Sequence, residues 1–217
     1  AGLVGEDGAT HGGVFDLAYL RTVPNMIIAA PSDENECRQL LYSAYQHEGP
    51  AAVRYPRGTG PGVAIDSEMT ALTIGQAHRV RKGNQQIAFL SFGALLDQVL
   101  LAAEKLDATV VDMRFIKPLD SDMIAKMATS HDLLVTVEDN VMAGGAGSAV
   151  NEVMQQLKLN TPVLNLGLPD YFQDHGSRDE LLEEAGLDTE GISEQVKTYL
   201  NAKDDQGNLL YLKSQEK

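Results

Sequence analysis

Apolar residues along the chain fall in short unbroken runs, separated by stretches with a helical period. The first run, 26–30, predicts a buried strand. It meets Pro31 and then Ser32-Asp33-Glu34-Asn35-Glu36, an acidic, cap-rich turn suited to the positive end of a helix dipole. Cys37, Leu40, Leu41, Ala44 and Tyr45 follow at i, i+3, i+4, i+7, i+8, which predicts a helix that buries this face. Gly49-Pro50 ends that helix, 51–55 reads as the next strand, and Pro56 stops the strand where Arg57 and Gly58 leave it.

From Thr59 to about Gly75 no period is sustained, and Gly60, Pro61 and Gly62 mark an exposed connection. The alternation then resumes, with strands predicted at 87–92, 109–115, 133–137 and 162–166, and helices at 94–106, 121–128, 147–157, 178–185 and 189–200. The strands lack polar alternation, as strands covered on both faces do. The pattern predicts an α/β fold in two parts: 1–64, a linker at 65–80, a second domain at 81–200, and a polar tail at 201–217.

Charge narrows the partners. Thirty-one Asp and Glu against 17 Lys and Arg give a net charge of −14, which opposes broad contact with nucleic acid or an anionic membrane. Any bound phosphate must be gripped locally. Cys37 is the single cysteine, so no internal disulfide or cysteine-based zinc site can form, and it reads as a small buried helix residue. Apolar runs are far shorter than the roughly 20 residues of a membrane span. A soluble, cytoplasmic protein is expected.

Two stretches carry candidate chemistry. Glu6-Asp7-Gly8-Ala9-Thr10-His11-Gly12-Gly13 presents a carboxylate, a hydroxyl and an imidazole on a small-residue loop, groups that can hydrogen-bond a sugar and move its protons, although the same residues are ordinary in turns. Val53-Arg54-Tyr55-Pro56-Arg57-Gly58 puts arginine where a strand ends, and carboxyl ends of parallel strands are where ligands bind. The bland alternative is a strand-end arginine in a salt bridge. Gly144-Gly145-Ala146-Gly147 reads as a tight crossover loop in preference to a phosphate nest. Glu138-Asp139, on opposite faces of one strand, is not expected to bind metal. His47, His78, His131 and His175 read as solvated side chains. Asp179, Glu180, Glu183 and Glu184 read as the wet face of a helix lying over Leu181, Leu182 and Ala185.

The runs Gly5 to Gly13, Phe15 to Arg21, Pro31 to Arg38 and Val53 to Gly58 resemble 1-deoxy-D-xylulose-5-phosphate synthases in order and spacing. So do Val111 to Asp120, Thr136 to Asn140 and Gly144 to Ser148, so that the resemblance extends from residue 2 to about residue 200. It departs at Ala9, where many members carry proline, and at Gly12, where they carry a larger polar residue; loop rigidity is what these changes affect.

The resemblance implies a partial pyrimidine-binding domain followed by a transketolase C-terminal-like three-layer α/β domain. It also implies a reaction: condensation of pyruvate with D-glyceraldehyde 3-phosphate with loss of CO2, for isoprenoid, thiamine and pyridoxal precursors. By the same resemblance His11 and Asp7 contact the reacting substrates and Arg57 binds the phosphate. Thiamine diphosphate and Mg2+ are implied for the full-length enzyme. The family's Gly-Asp-Gly motif and cofactor-activating glutamate are not found here, so the cofactor is expected on an N-terminal region outside this chain, and the isolated chain is expected to be inactive. A homodimer is expected. Two alternatives stay open, the subunit of a split transketolase-like enzyme and a non-catalytic dimerisation or regulatory module.

Overall fold

A computed structural model describes residues 1–84 and 86–202. The expected tail at 201–217 therefore falls, from residue 203 onward, outside the described residues.

The second part is built on a five-stranded sheet of β3 (His78–Arg81), β5 (Thr109–Asp112), β4 (Ile87–Phe92), β7 (Leu133–Val141) and β8 (Val163–Leu168), in that order. β5, β4, β7 and β8 are parallel, and β3 runs antiparallel on the edge. Successive side chains of β4 point to opposite faces, and both faces are covered. Phe89 packs with Leu95, Val99, Leu182, Ile192 and Val196 from α3 (Leu96–Leu106) and its flank, α6 (Arg178–Glu184) and α7 (Thr189–Asn201). Ala88 and Leu90 face Ile124, Met127, Val150 and Met154 from α4 (Ser121–Ser130) and α5 (Ala146–Gln156). Three layers result. α6 begins with Ser177 and Glu180 in a capping box, and Leu181 and Leu182 are buried beneath its acidic face.

The first part holds a smaller sheet, ordered β2 (Ala51–Val53), β1 (Ile27–Ala29), β6 (Phe115–Lys117). Here the expected strand 109–115 is corrected. β5 stops at Asp112, and Arg114 takes a left-handed φ of 56° that turns the chain out of the large sheet. Phe115 then pairs antiparallel with Ala29 of β1. The consecutive strands β5 and β6 thus lie in different sheets. Ile27 and Ala29 pack with Leu40 and Phe115, whereas Ile28 and Ala30 enter the core shared with β4, β5 and α4.

α1 (Asp16–Leu20) lies against β7, and α2 (Glu34–Gln46) starts at Asp33, whose carboxylate accepts from the Glu36 amide at 2.8 Å. The face α2 buries is not the expected one. Leu40 is buried as predicted, but its buried neighbours are Gln39 and Ser43, while Leu41 and Tyr45 are 48% and 84% exposed. The connecting segment lies along the polar side of the helix. Arg38 Nη1 and Nη2 donate to the Glu68 and Ser67 carbonyls at 3.0 and 3.1 Å, and the Leu72 amide donates to Ser43 Oγ at 2.8 Å. Backbone of an irregular segment needs polar partners, and it finds them on that face.

Candidate functional site

Gly2 and Gly13 exchange backbone hydrogen bonds of 2.9 and 3.0 Å, closing residues 2–13 into a loop. Within it Gly5–Thr10 forms two 3-10 turns joined at Gly8, where φ is 64°. The loop leads into α1 beside β7, and the Val141 amide donates to the Val14 carbonyl at 2.7 Å. From the second part, His175 lies against Gly8: a Cβ added there would stand 2.6 Å from His175 Nε2.

Asp7 and Arg57 form an ion pair, with Arg57 60% exposed. The two candidate motifs therefore meet at one place. His11 is exposed, and its Nδ1 stands 3.0 Å from the Thr10 hydroxyl. If that hydroxyl donates to the Asp7 carbonyl, 3.4 Å away, it accepts from Nδ1–H and leaves the Nε2 lone pair outward. Arg57 lines a cleft of about 740 Å³ bounded by the N-terminal half of α2, residues 55–61, the start of α3 and α6. Neither Asp7 nor His11 is among the residues lining it.

Beneath this rim is a buried ionic cluster that the sequence reading did not assign. Arg54, following β2, donates through Nε to both Asp16 oxygens at 2.9 and 3.0 Å, and its Nη1 bonds Asp139 Oδ1. Its Nη2 reaches the carbonyls of Gly13 and Asp139 at 3.0 and 2.9 Å. Burial opposes the charge on Arg54, but Asp139 and Asp16 outweigh burial and raise its pKa. Burial likewise opposes ionised Asp139, yet Arg54 beside it, with Arg178, holds that carboxyl below its usual range. Of the two arginines around Tyr55-Pro56, one is thus held in the buried ionic cluster and the other, paired with Asp7, is exposed. A period-2 reading through Arg54 was the available signal; its partners Asp16 and Asp139 carried none.

Three other expectations are settled by geometry. Glu138 accepts the Ala146 and Gly147 amides, each at 2.7 Å, so the glycine-rich N-terminus of α5 is filled by this chain's own carboxylate, in a tight crossover loop. Burial pushes Glu138 up to about 7 against the pull of those two amides. His131 is not simply solvated: its Nε2 stands 2.9 Å from Thr109 Oγ and its Nδ1 3.1 Å from the Met127 carbonyl, because β5 and α4 close over it. Cys37 is only half-buried and lines the cleft, with burial and Asp33 pushing its thiol up. Among the described residues no group of three or more His, Cys, Asp or Glu stands together as a metal site, and no helix is long and apolar enough to cross a membrane.

Residues 1–62 match the transketolase pyrimidine-binding domain, and residues 75–192 the transketolase C-terminal domain. A 1-deoxy-D-xylulose-5-phosphate synthase of Alcanivorax borkumensis is 67% identical over 201 residues, 93% of this chain and 31% of that protein. The synthase of Nitrosococcus oceani is 60% identical over 92% of this chain and 31% of its own length. The chain thus spans about a third of the length of these relatives. A solved split-gene transketolase, an inactive β4 tetramer, superposes with a TM-score of 0.76 at 29% identity over 88% of this chain and 62% of that one. A transketolase from Campylobacter jejuni shares the fold, with a TM-score of 0.63 at 19% identity over 90% of this chain and 29% of that one. With one domain family covering more than half of its 217 residues, the chain belongs to the transketolase family, and its sequence stands with the 1-deoxy-D-xylulose-5-phosphate synthases within it.

Proposed function

We propose that this chain supplies the acceptor-substrate side of a thiamine diphosphate-dependent transferase that condenses pyruvate with D-glyceraldehyde 3-phosphate and releases CO2. The observation that carries the reading is the Asp7–Arg57 pair, which joins both candidate motifs at one exposed rim. Arg57 grips the phosphate, displacing Asp7 as it arrives, and a planar fork suits that anion. His11 Nε2 and the freed Asp7 carboxylate then accept hydrogen bonds from the hydroxyls of the acceptor, holding it for carbon-carbon bond formation. Residues 1–64 act as the pyrimidine-domain part and 81–200 as the C-terminal domain.

Thiamine diphosphate and Mg2+ enter through the family alone. The described residues do not fit them, since Glu138 fills the α5 N-terminus and no ligand cluster stands together. Their binding belongs to parts of a full-length synthase that this chain does not span. The isolated chain is then inactive, in keeping with the solved split-gene relative described as an inactive β4 tetramer. Assembly as a homodimer in the cytoplasm completes the reading.

The test is steady-state kinetics of a full-length synthase carrying this segment. One charge-assisted contact is worth roughly 1.5–3 kcal/mol, so Arg57→Ala should raise the KM for D-glyceraldehyde 3-phosphate by about tenfold or more while leaving that for pyruvate in place. His11→Ala should lower kcat by about a hundredfold or more. An unchanged KM in Arg57→Ala overturns the assignment.

A further inference from the structure

We infer that Arg178, from the second part of the chain, is a second anion-binding side chain of the cleft, sharing with Arg57 the phosphate monoester of the acceptor substrate. The inference rests on the reading above and extends its site to the other domain. Arg178 opens α6 and lines the same cleft as Arg57. Its Nε and Nη2 are buried without a hydrogen-bond partner, and its nearest counter-charge, Asp139 Oδ2, is 3.7 Å away. That separation is beyond a hydrogen bond. The other oxygen of Asp139 is already engaged by Arg54, which also takes both oxygens of Asp16. Arg178 is therefore the cation of this cluster whose donors are left over.

A third arginine of the cleft, Arg38, is committed to the carbonyls of residues 66–68 and is not free for a ligand. Asp97 and Asp179 also line the cleft. They suit the hydroxyls of a small sugar phosphate and oppose a second anionic group, which selects a monoester carrying neutral polar groups. Arg57 is contributed from beside β2 and Arg178 from α6, so a phosphate held by both ties the two parts of the chain together.

The test compares D-glyceraldehyde 3-phosphate with unphosphorylated D-glyceraldehyde in the full-length synthase carrying this segment. Arg178→Met, which keeps the aliphatic stem, should raise the KM for the phosphorylated acceptor about tenfold and leave both kcat and the KM for D-glyceraldehyde unchanged. Should that variant fail to fold, Arg178→Lys keeps a cation beside Asp139 but loses the fork, and a severalfold rise confined to the phosphorylated acceptor is expected. Equal changes for the two acceptors, or no change, overturn the inference. Arg57→Ala run in parallel separates the two failures: if it too shows no preference for phosphate, the substrate assignment has failed; if it does and Arg178 does not, only Arg178 has been misassigned.

Discussion

Arg54 and Asp139, 85 residues apart in sequence, form an ion pair in which the two side chains are 4% and 2% exposed. The pair fastens the end of β2 to the carboxyl end of β7, and through Gly13 and Asp16 it also fixes both the close of the candidate loop and the start of α1. The exposed Arg57 is thereby carried three residues from a rigid anchor.

Breaking a buried pair from one side leaves an uncompensated charge, which costs about 3–5 kcal/mol. Asp139→Ala and Arg54→Met should each lower the unfolding free energy, read from urea denaturation, by an amount in that range. The double variant should lose clearly less than the sum, and strict additivity in the denaturation series would show that the two groups are not coupled.

Asp112 gives a pH signature. Ser32 Oγ donates to it at 2.7 Å and the Arg114 amide at 3.1 Å, across the seam between the sheets. Burial, with the charge of Glu36, nonetheless pushes its pKa up from 3.8 to about 6. The folded state then holds the proton more tightly than the unfolded one. The stability this contributes is complete below about pH 4 and is lost as pH rises through 6. Urea unfolding at pH 5 and pH 7 should therefore show wild type falling relative to Asp112→Asn, which has no proton to lose; parallel curves would contradict the shift.

Strands buried on both faces were legible as continuous apolar runs, and the α2 cap as Asp33 before an acidic turn, since both depend on neighbours in sequence. The face of α2 was not legible. Its polar side is dry because the 66–72 backbone lies on it, and a helical period carries no information about a segment twenty residues downstream. The break at Arg114 was hidden for a similar reason: Val111 to Phe115 has strand composition throughout, and the turn is fixed by the pairing of Phe115 with Ala29. At the candidate site, the residues with exposed chemistry were readable as motifs, whereas Asp16, Asp139 and Arg178 matter through contacts made across the fold.

Gly8 combines a φ of 64° with a close neighbour from the second domain. In Gly8→Ala the new Cβ meets the His175 ring at 2.6 Å in a backbone conformation that disfavours any side chain. A loss of about 1–3 kcal/mol is expected, together with displacement of the Asp7–His11 loop. Gly8→Ala/His175→Ala should recover the steric part and leave the backbone part; thermal denaturation of the three variants separates them.

Gln39 tests whether the connecting segment is held by α2 or merely drawn near it. The side chain is 4% exposed, its Oε1 accepts from the Thr70 amide, and its Nε2 donates to the Glu68 carbonyl at 3.2 Å. Leucine has nearly the same volume and extends the apolar stripe of Leu40 and Leu41, so helix propensity and hydrophobicity alone predict that Gln39→Leu stabilises. The structure predicts the reverse. The Thr70 amide would lose its acceptor, at a cost of about 1–3 kcal/mol, and the 59–72 segment would lift from the helix. Limited proteolysis should then cut within that segment much faster than in the wild type, with a lower melting temperature. A more stable, equally resistant Gln39→Leu protein would mean that the polar face of α2 is open to water after all, as the periodicity first suggested.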